Sequence, residues 1–147
     1  MDRTRGWALA LATVGVVTAL DQLTKAWARS AIEPGERINV FFGLDLVRVK
    51  NTGVAFGAFS GSGLLVLVAV LIALAALLTY FTAHVDTPWL WLPVGMVLGG
   101  ALGNLADRAR ISGVTDFIDP ILWPAFNVAD MAIVVGVLGV LYIAEKK

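Results

Sequence analysis

The chain has no cysteine and one histidine, His84, in 147 residues. Without cysteine there is no disulfide framework, no thiolate nucleophile and no Zn–Cys centre, and a single histidine cannot supply the His-Glu-x-x-His metal pair. No metal or other cofactor is expected. Charge is equally scarce: 11 basic and 11 acidic residues make up 15% of the chain and cancel to a formal net charge of zero. The only clustered bases at the start are Arg3 and Arg5, so the phosphate-neutralising footprint of a nucleic-acid binder is missing, and nucleic acid is excluded as a partner. What remains is apolar. Hydrophobic residues make up 59% and the mean hydropathy is +0.83, against roughly 45–50% apolar usage in soluble domains. This is the composition of an integral membrane protein.

A helix rising 1.5 Å per residue needs about 20 residues to cross roughly 30 Å of hydrocarbon. Four segments have that reach: about 7–27, 63–83, 89–106 and 127–144. Arg3 and Arg5 ahead of the apolar run Trp7–Leu20 imitate a secretory signal with a weak cleavage site at Val17-Thr18-Ala19. Helix-compatible sequence nevertheless continues through Trp27, which predicts a retained first span. Alternating the direction of four spans brings three polar ends to one side: Asp21 and Lys25 close the first span, Asn104, Asp107 and Arg108 the third, and Asn127 and Asp130 open the fourth. The long stretches 28–62 and 108–126 fall on that side and both termini on the other. Trp7, Tyr80, Trp89, Trp91 and Tyr142 then mark one interface, Trp27 and Trp123 the other. The basic residues divide between the two sides and do not orient the chain.

The expected fold is therefore an all-α integral membrane domain over 1–147, with four transmembrane helices. A near period-2 pattern of Leu44, Leu46, Val47 and Val49 with Asp45, Arg48 and Lys50 predicts a small β element over about 38–58. It must lie at the interface, because hydrocarbon does not tolerate open sheet edges. Residues 108–126 are expected to form a short extramembrane loop or helix. Gly95, Gly99 and Gly103, four residues apart, mark a close helix–helix seam.

A carboxylate at the centre of a membrane helix costs roughly 2.5–3.5 kcal/mol on insertion scales, which makes each one here a candidate for function. Asp21 and Lys25, four apart, can pair on one helix face, a purely structural role for the two. Asn104, Asp107 and Arg108 also share a face. Asp107 reads as support and Arg108, with its forked guanidinium, as a substrate contact. Asn51-Thr52-Gly53 taken alone is only a turn signal. Asp116, in the stretch between the third and fourth spans, and Asp130, one turn into the fourth, could face each other and share a proton, the arrangement of aspartic acid–base chemistry. Asp119 is a rival to Asp116, with a turn or cap role suggested by Pro120. Two other readings remain: a proton-coupled transporter subunit, since membrane carboxylates also build proton relays, and a packing partner built on the glycine seam.

The ordered set Asp21-x-x-Thr24-Lys25, Asn51-x-Gly53-x-Ala55-Phe56-Gly57, Gly99-Gly100-Ala101-Leu102-Gly103-Asn104-x-x-Asp107-Arg108, Val114-x-Asp116-Phe117 and Phe126-Asn127-x-Ala129-Asp130 resembles the bacterial lipoprotein signal peptidases, the signal peptidase II family, across essentially the whole chain. Met131 departs from the pattern, standing where a small hydroxyl residue is common, and the stretch from Asp116 to Asp130 is short. The resemblance implies a four-span aspartic endopeptidase of the bacterial cytoplasmic (inner) membrane, with cytoplasmic termini and an active site near the outer leaflet. Its substrates would be diacylglyceryl-prolipoproteins, cut on the N-terminal side of the modified cysteine. It implies Asp116 and Asp130 as the catalytic pair. Asn51, Gly53, Asn104, Arg108, Asn127 and Ala129 would be substrate-binding or supporting positions, and Asp21, Lys25 and Asp107 a supporting polar network. Membrane lipid as a partner and inhibition by globomycin-type cyclic peptides are implied in the same way.

Overall fold

The computed structural model describes residues 2–53 and 63–146. Four helices and three strands follow in the order α1 (Arg3–Ala31), β1 (Arg37–Phe41), β2 (Leu44–Asn51), α2 (Gly63–His84), α3 (Trp91–Ile111), β3 (Val114–Pro120) and α4 (Val128–Glu145). Helix α1 runs unbroken for 29 residues through the Asp21–Lys25 region. By length and composition α1 and α4 can cross a membrane, and the apolar stretch of α2 covers Val68–His84.

Helix α3 is the central element, and its glycines explain how it packs on both sides. An added Cβ at Gly95 would stand 2.6 Å from Thr13 Cβ and 2.8 Å from the Ala10 carbonyl, and one at Gly99 2.8 Å from Val17 Cβ. One at Gly103 would collide with the Asp21 carboxylate. Three glycines four residues apart thus meet successive turns of α1, the close approach expected of small-xxx-small seams. On the opposite flank, Gly100 meets the Ala129 carbonyl of α4, and Gly136 of α4 meets the Pro93 carbonyl of α3. At the end that holds both termini, Phe81, Val85, Leu90 and Val94 form a core with Ala10, and Trp7 stands edge-on to Phe81 at 4.9 Å.

The other end carries the sheet, antiparallel in the order β1-β2-β3. The β element expected over 38–58 is present as β1 and β2, with residues 54–58 outside the described residues. The loop or helix expected over 108–126 is corrected: its central part, Val114–Pro120, is strand β3 and completes the sheet. Two short strands alone are marginal, and the β-branched and aromatic residues Val114, Thr115, Phe117 and Ile118 suit a pleated, half-buried surface. Pairing Asn51 with Val114 and Leu46 with Ile118 supplies the missing strand. The return segment is tied in by Phe126, whose N–H donates to the Ile118 carbonyl at 2.9 Å. Beneath the sheet, Phe117 joins Ala28 and Ile32 in a second core, packed on by Leu46, Ile118 and Val128.

The glycine seam yields a stability test. Gly95→Ala must push Thr13 and the α1 backbone away, an overpacking loss of about 1–3 kcal/mol. Gly15→Ala meets nothing within 4 Å and is expected to hold or raise stability, by up to about 1 kcal/mol from helix propensity. Thermal unfolding of both variants in one detergent, with a lower midpoint for Gly95→Ala only, checks this.

Candidate active site

Three helix ends and the sheet converge on one polar cluster. Asp21, Lys25, Asn104, Asp107, Thr115, Asp116 and Asn127 are all buried. Among the described residues no buried side-chain nitrogen or oxygen lacks a partner.

The innermost link is ionic. Lys25 Nζ lies 2.9 Å from Asp21 Oδ2 and 3.9 Å from Asp107 Oδ2, and donates to Asn104 Oδ1 at 2.8 Å. An ammonium only donates, so the Asn104 amide must turn its oxygen to Lys25 and its Nδ2 the other way. That Nδ2 donates to Asp130 Oδ1 at 2.8 Å. The other oxygen of Asp21, Oδ1, accepts the Ala129 N–H at 3.0 Å, so a carboxylate of α1 satisfies a free backbone donor in the first turn of α4. Asp107 accepts the Thr115 N–H at 2.8 Å and so fastens β3 to the end of α3.

The same logic fixes two further amides. Gly53 N–H donates to Asn51 Oδ1 at 2.9 Å, leaving Asn51 Nδ2 to donate to Asp116 Oδ2 at 2.9 Å. Gly53 has φ +83°, backbone that glycine adopts without steric cost. Asn127 caps α4: its Oδ1 accepts the Asp130 N–H at 3.0 Å, while its own N–H donates to Asp130 Oδ2 at 3.2 Å. This reciprocal capping box leaves Asn127 Nδ2 free to donate to Asp116 Oδ1 at 2.7 Å. One residue therefore touches both carboxylates. Three asparagine amides are each held by a donor at the oxygen, and each presents N–H to Asp116 or Asp130.

Burial pushes the Asp116 carboxyl above the ordinary aspartate range; the Asn51 and Asn127 amides pull it back, and the nearby Asp130 charge pushes it up again. The Asp130 charge beside Asp116 thus makes ionising that carboxyl costlier. The arrangement can therefore hold one acid and one base side by side.

Of the positions picked out in the sequence, Asp21, Lys25, Asn51, Gly53, Asn104, Asp107, Asp116, Asn127, Ala129 and Asp130 meet in this one network. Arg108 does not join it: its side chain is exposed, with no side-chain hydrogen bond or ion pair among the described residues. Asp116 stands on a strand and not in a loop. The rival Asp119 is held by Arg37 at 2.7 Å, in a surface cluster with Asp45. There the Asn39 and Arg37 side chains hold the Asp45 carboxyl below its usual range. Sequence reasoning passed over Gln22, whose Nε2 reaches Asp21 Oδ2 at 3.1 Å and the Gly103 carbonyl at 3.0 Å. It also passed over Arg29, which donates to Thr115 Oγ1 at 2.9 Å and lies 3.5 Å from Asp107. Arg29 could have been found, because Asp21, Lys25 and Arg29 recur at four-residue spacing along one helix face.

Comparison with known proteins points to one family. A profile of the family described as signal peptidase (SPase) II matches residues 13–145. The lipoprotein signal peptidase of Moorella thermoacetica is 45% identical over 127 residues, covering 84% of this chain and 83% of that protein. That of Oleidesulfovibrio alaskensis is 42% identical over 131 residues, covering 82% and 84%. Among solved structures, a bacterial membrane enzyme determined by the in meso method at 1.9 Å resolution superposes with a TM-score of 0.81 at 28% identity, covering 94% of this chain and 92% of that one.

The buried pair has a direct consequence. Lys25→Met leaves Asp21 without its counter-charge, and breaking a buried pair from one side typically costs about 3–5 kcal/mol. Thermal unfolding in detergent is expected to show that loss. Asp45→Asn, which disturbs only the solvent-screened Arg37 cluster, is expected to leave the unfolding midpoint essentially unchanged.

Proposed function

The chain belongs to the signal peptidase II family, proteases that remove signal peptides from prolipoproteins in the bacterial membrane, and on that premise we propose that Asp116 and Asp130 are its catalytic pair. The observation that carries the proposal is Asn127, whose side-chain N–H holds Asp116 while its backbone N–H and side-chain oxygen hold Asp130. In the proposed reaction one carboxylate, ionised, takes a proton from a water molecule as that water attacks the scissile carbonyl. The protonated partner donates a hydrogen bond to the carbonyl oxygen and then passes its proton to the leaving amine. The two carboxyls end with the same total of one proton, so the cycle closes without a covalent intermediate or a metal.

The whole chain acts as one domain in this reading, with α1 to α4 as four spans. Both termini lie on the cytoplasmic side and the polar cluster near the outer leaflet, where a diacylglyceryl-cysteine sits. Cleavage falls on the N-terminal side of that cysteine. In this reading Asn51, Gly53 and Arg108 serve the substrate side of the pair, and the exposed cationic fork of Arg108 suits a substrate carbonyl. An extended substrate peptide would lie along the sheet by backbone pairing, near Asp116 of β3, whose outer edge at Phe117 and Ile118 is already taken by Phe126. The acyl chains enter from lipid through gaps between helices, and globomycin-type cyclic peptides inhibit by filling the same space. An apolar groove of about 430 Å³ between Leu77 and Tyr80 of α2, Val97 of α3 and Val137 and Leu141 of α4 lies toward the opposite end of the bundle. It is a lipid-facing seam and not the peptide site.

Two tests follow. Asp116→Asn and Asp130→Asn are each expected to lower cleavage of a diacylated lipobox peptide by roughly 100-fold to 10,000-fold, the usual weight of a positioned acid or base, with mass spectrometry locating the wild-type cut before the lipidated cysteine. Retained turnover in Asp116→Asn together with loss in Asp119→Asn would move the assignment to Asp119. The second test concerns pH. The Asn51 amide favours ionised Asp116, so Asn51→Ala raises that carboxyl further. The limb of the kcat/KM profile that Asp116 controls is then expected to move to higher pH, and a move to lower pH would contradict the assignment.

A further inference from the structure

The sheet is wider than the helices beneath it. Ile38, Leu46 and Ile118 stand opposite one another across the three strands, and Leu46 and Ile118 pack on the core of Ala28, Ile32 and Phe117. Ile38, at the end of that row, is more than one-third exposed, and all five residues of the edge strand β1 are exposed. The hairpin turn that follows presents Phe41 and Phe42, the latter 96% exposed. Beside it lies the turn after β3, with Ile121, Leu122 and Trp123 open and Leu122 at 91%. The two turns are joined, because the Ile121 N–H donates to the Gly43 carbonyl at 2.9 Å. Five large apolar side chains therefore form one tip. The carboxylates next to it are already matched: Arg37 binds Asp45 at 2.9 Å and Asp119 at 2.7 Å.

We propose that this double turn is a wedge that enters the bilayer interface at the site end of the helices, with lipid headgroups and upper acyl chains as its partner. Adjacent exposed side chains of this size mark an interaction surface. Lipid is the occupant that continues what lies next to the tip. Leu20, Leu23 and Trp27 are exposed along the last turns of α1, a helix able to cross the membrane, and Trp27 meets Phe117 of β3 at 6.5 Å. The lipid-facing stripe of α1 thus rises to the underside of the sheet. The tip's own residues, two phenylalanines and a tryptophan among aliphatics, are of the type that settles at headgroup level. The wedge would press the sheet, and Asp116 with it, against the lipid from which a diacylated substrate arrives. It does not depend on which carboxylates are catalytic.

The absence of native cysteine makes the test clean. Single nitroxide labels at Phe42→Cys and Leu122→Cys, with Leu23→Cys as lipid reference and Glu33→Cys as water reference, are read by electron paramagnetic resonance in phosphatidylethanolamine/phosphatidylglycerol nanodiscs holding one protein each. Both tip labels are expected to be accessible to oxygen and shielded from a water-soluble nickel chelate, as Leu23→Cys is, at a depth of about 5–10 Å below the phosphates. Nickel accessibility equal to that at Glu33→Cys would overturn the proposal. So would shielding that appears only in vesicles where two copies meet, with short label–label distances, or only after a diacylated lipobox peptide is added. Those results would assign the tip to a second copy or to the substrate. Because the two labels sit on different turns, misfolding of one variant leaves the other to decide.

Discussion

A buried lysine that can only donate hydrogen bonds governs the rest of this structure. Lys25 neutralises Asp21 at 2.9 Å and claims the oxygen of Asn104, and from those two contacts the orientation of the polar core follows. Asn104 must offer its N–H to Asp130, and Asp21, relieved of its excess charge, can hold the Ala129 N–H at the start of α4. A buried charge without such a partner would cost several kcal/mol. Here Lys25 of α1 is met by Asn104 of α3, Asp21 of α1 by Ala129 of α4, and Asp116 of β3 by Asn51 of β2 and Asn127. The cost of moving any one of them is spread through the network, which is the condition for holding two carboxylates near each other.

Packing makes that network possible. Gly103 has no side chain where the Asp21 carboxylate comes across from α1, and Gly100 lets the Ala129 carbonyl of α4 close on the other flank of α3. The seam and the chemistry are one design: helix approach at three successive turns of α1 brings the polar ends within hydrogen-bond reach. The sheet completes it from above. Asp107 takes the Thr115 N–H, and Asp116 one residue later is thereby carried to Asn51 and Asn127.

Much of this was legible in the sequence, for identifiable reasons. Four-residue spacing announced both the Asp21–Lys25 pair and the glycine seam, and alternation along 44–50 announced β2. The convergence of Asp21, Asn104, Asp107 and Asp130 at one end followed from where apolar runs stop. Strand β3 was not legible, because Val114–Pro120 offers seven residues with three polar ones and only pairing with β2 stabilises it as a strand. Arg108 reads as a substrate contact that shares a helix face with Asn104, and its side chain stands exposed outside the cluster, since spacing fixes a face and not where a flexible side chain ends. The amide orientations were beyond any sequence pattern. They depend on which neighbour supplies a donor, a property of tertiary contacts between residues up to 79 positions apart.

The central claim is that Asp116 and Asp130 act as one titrating unit with a shared proton. Carboxyl-13C aspartate labelling of the detergent-solubilised protein, with chemical shifts followed against pH in the wild type and in Asp116→Asn and Asp130→Asn, measures this directly. The account predicts one wild-type carboxyl that titrates well above the ordinary aspartate value of about 3.9 and whose transition changes when either partner is replaced. Two carboxyls titrating independently near that ordinary value, each indifferent to loss of the other, would contradict it.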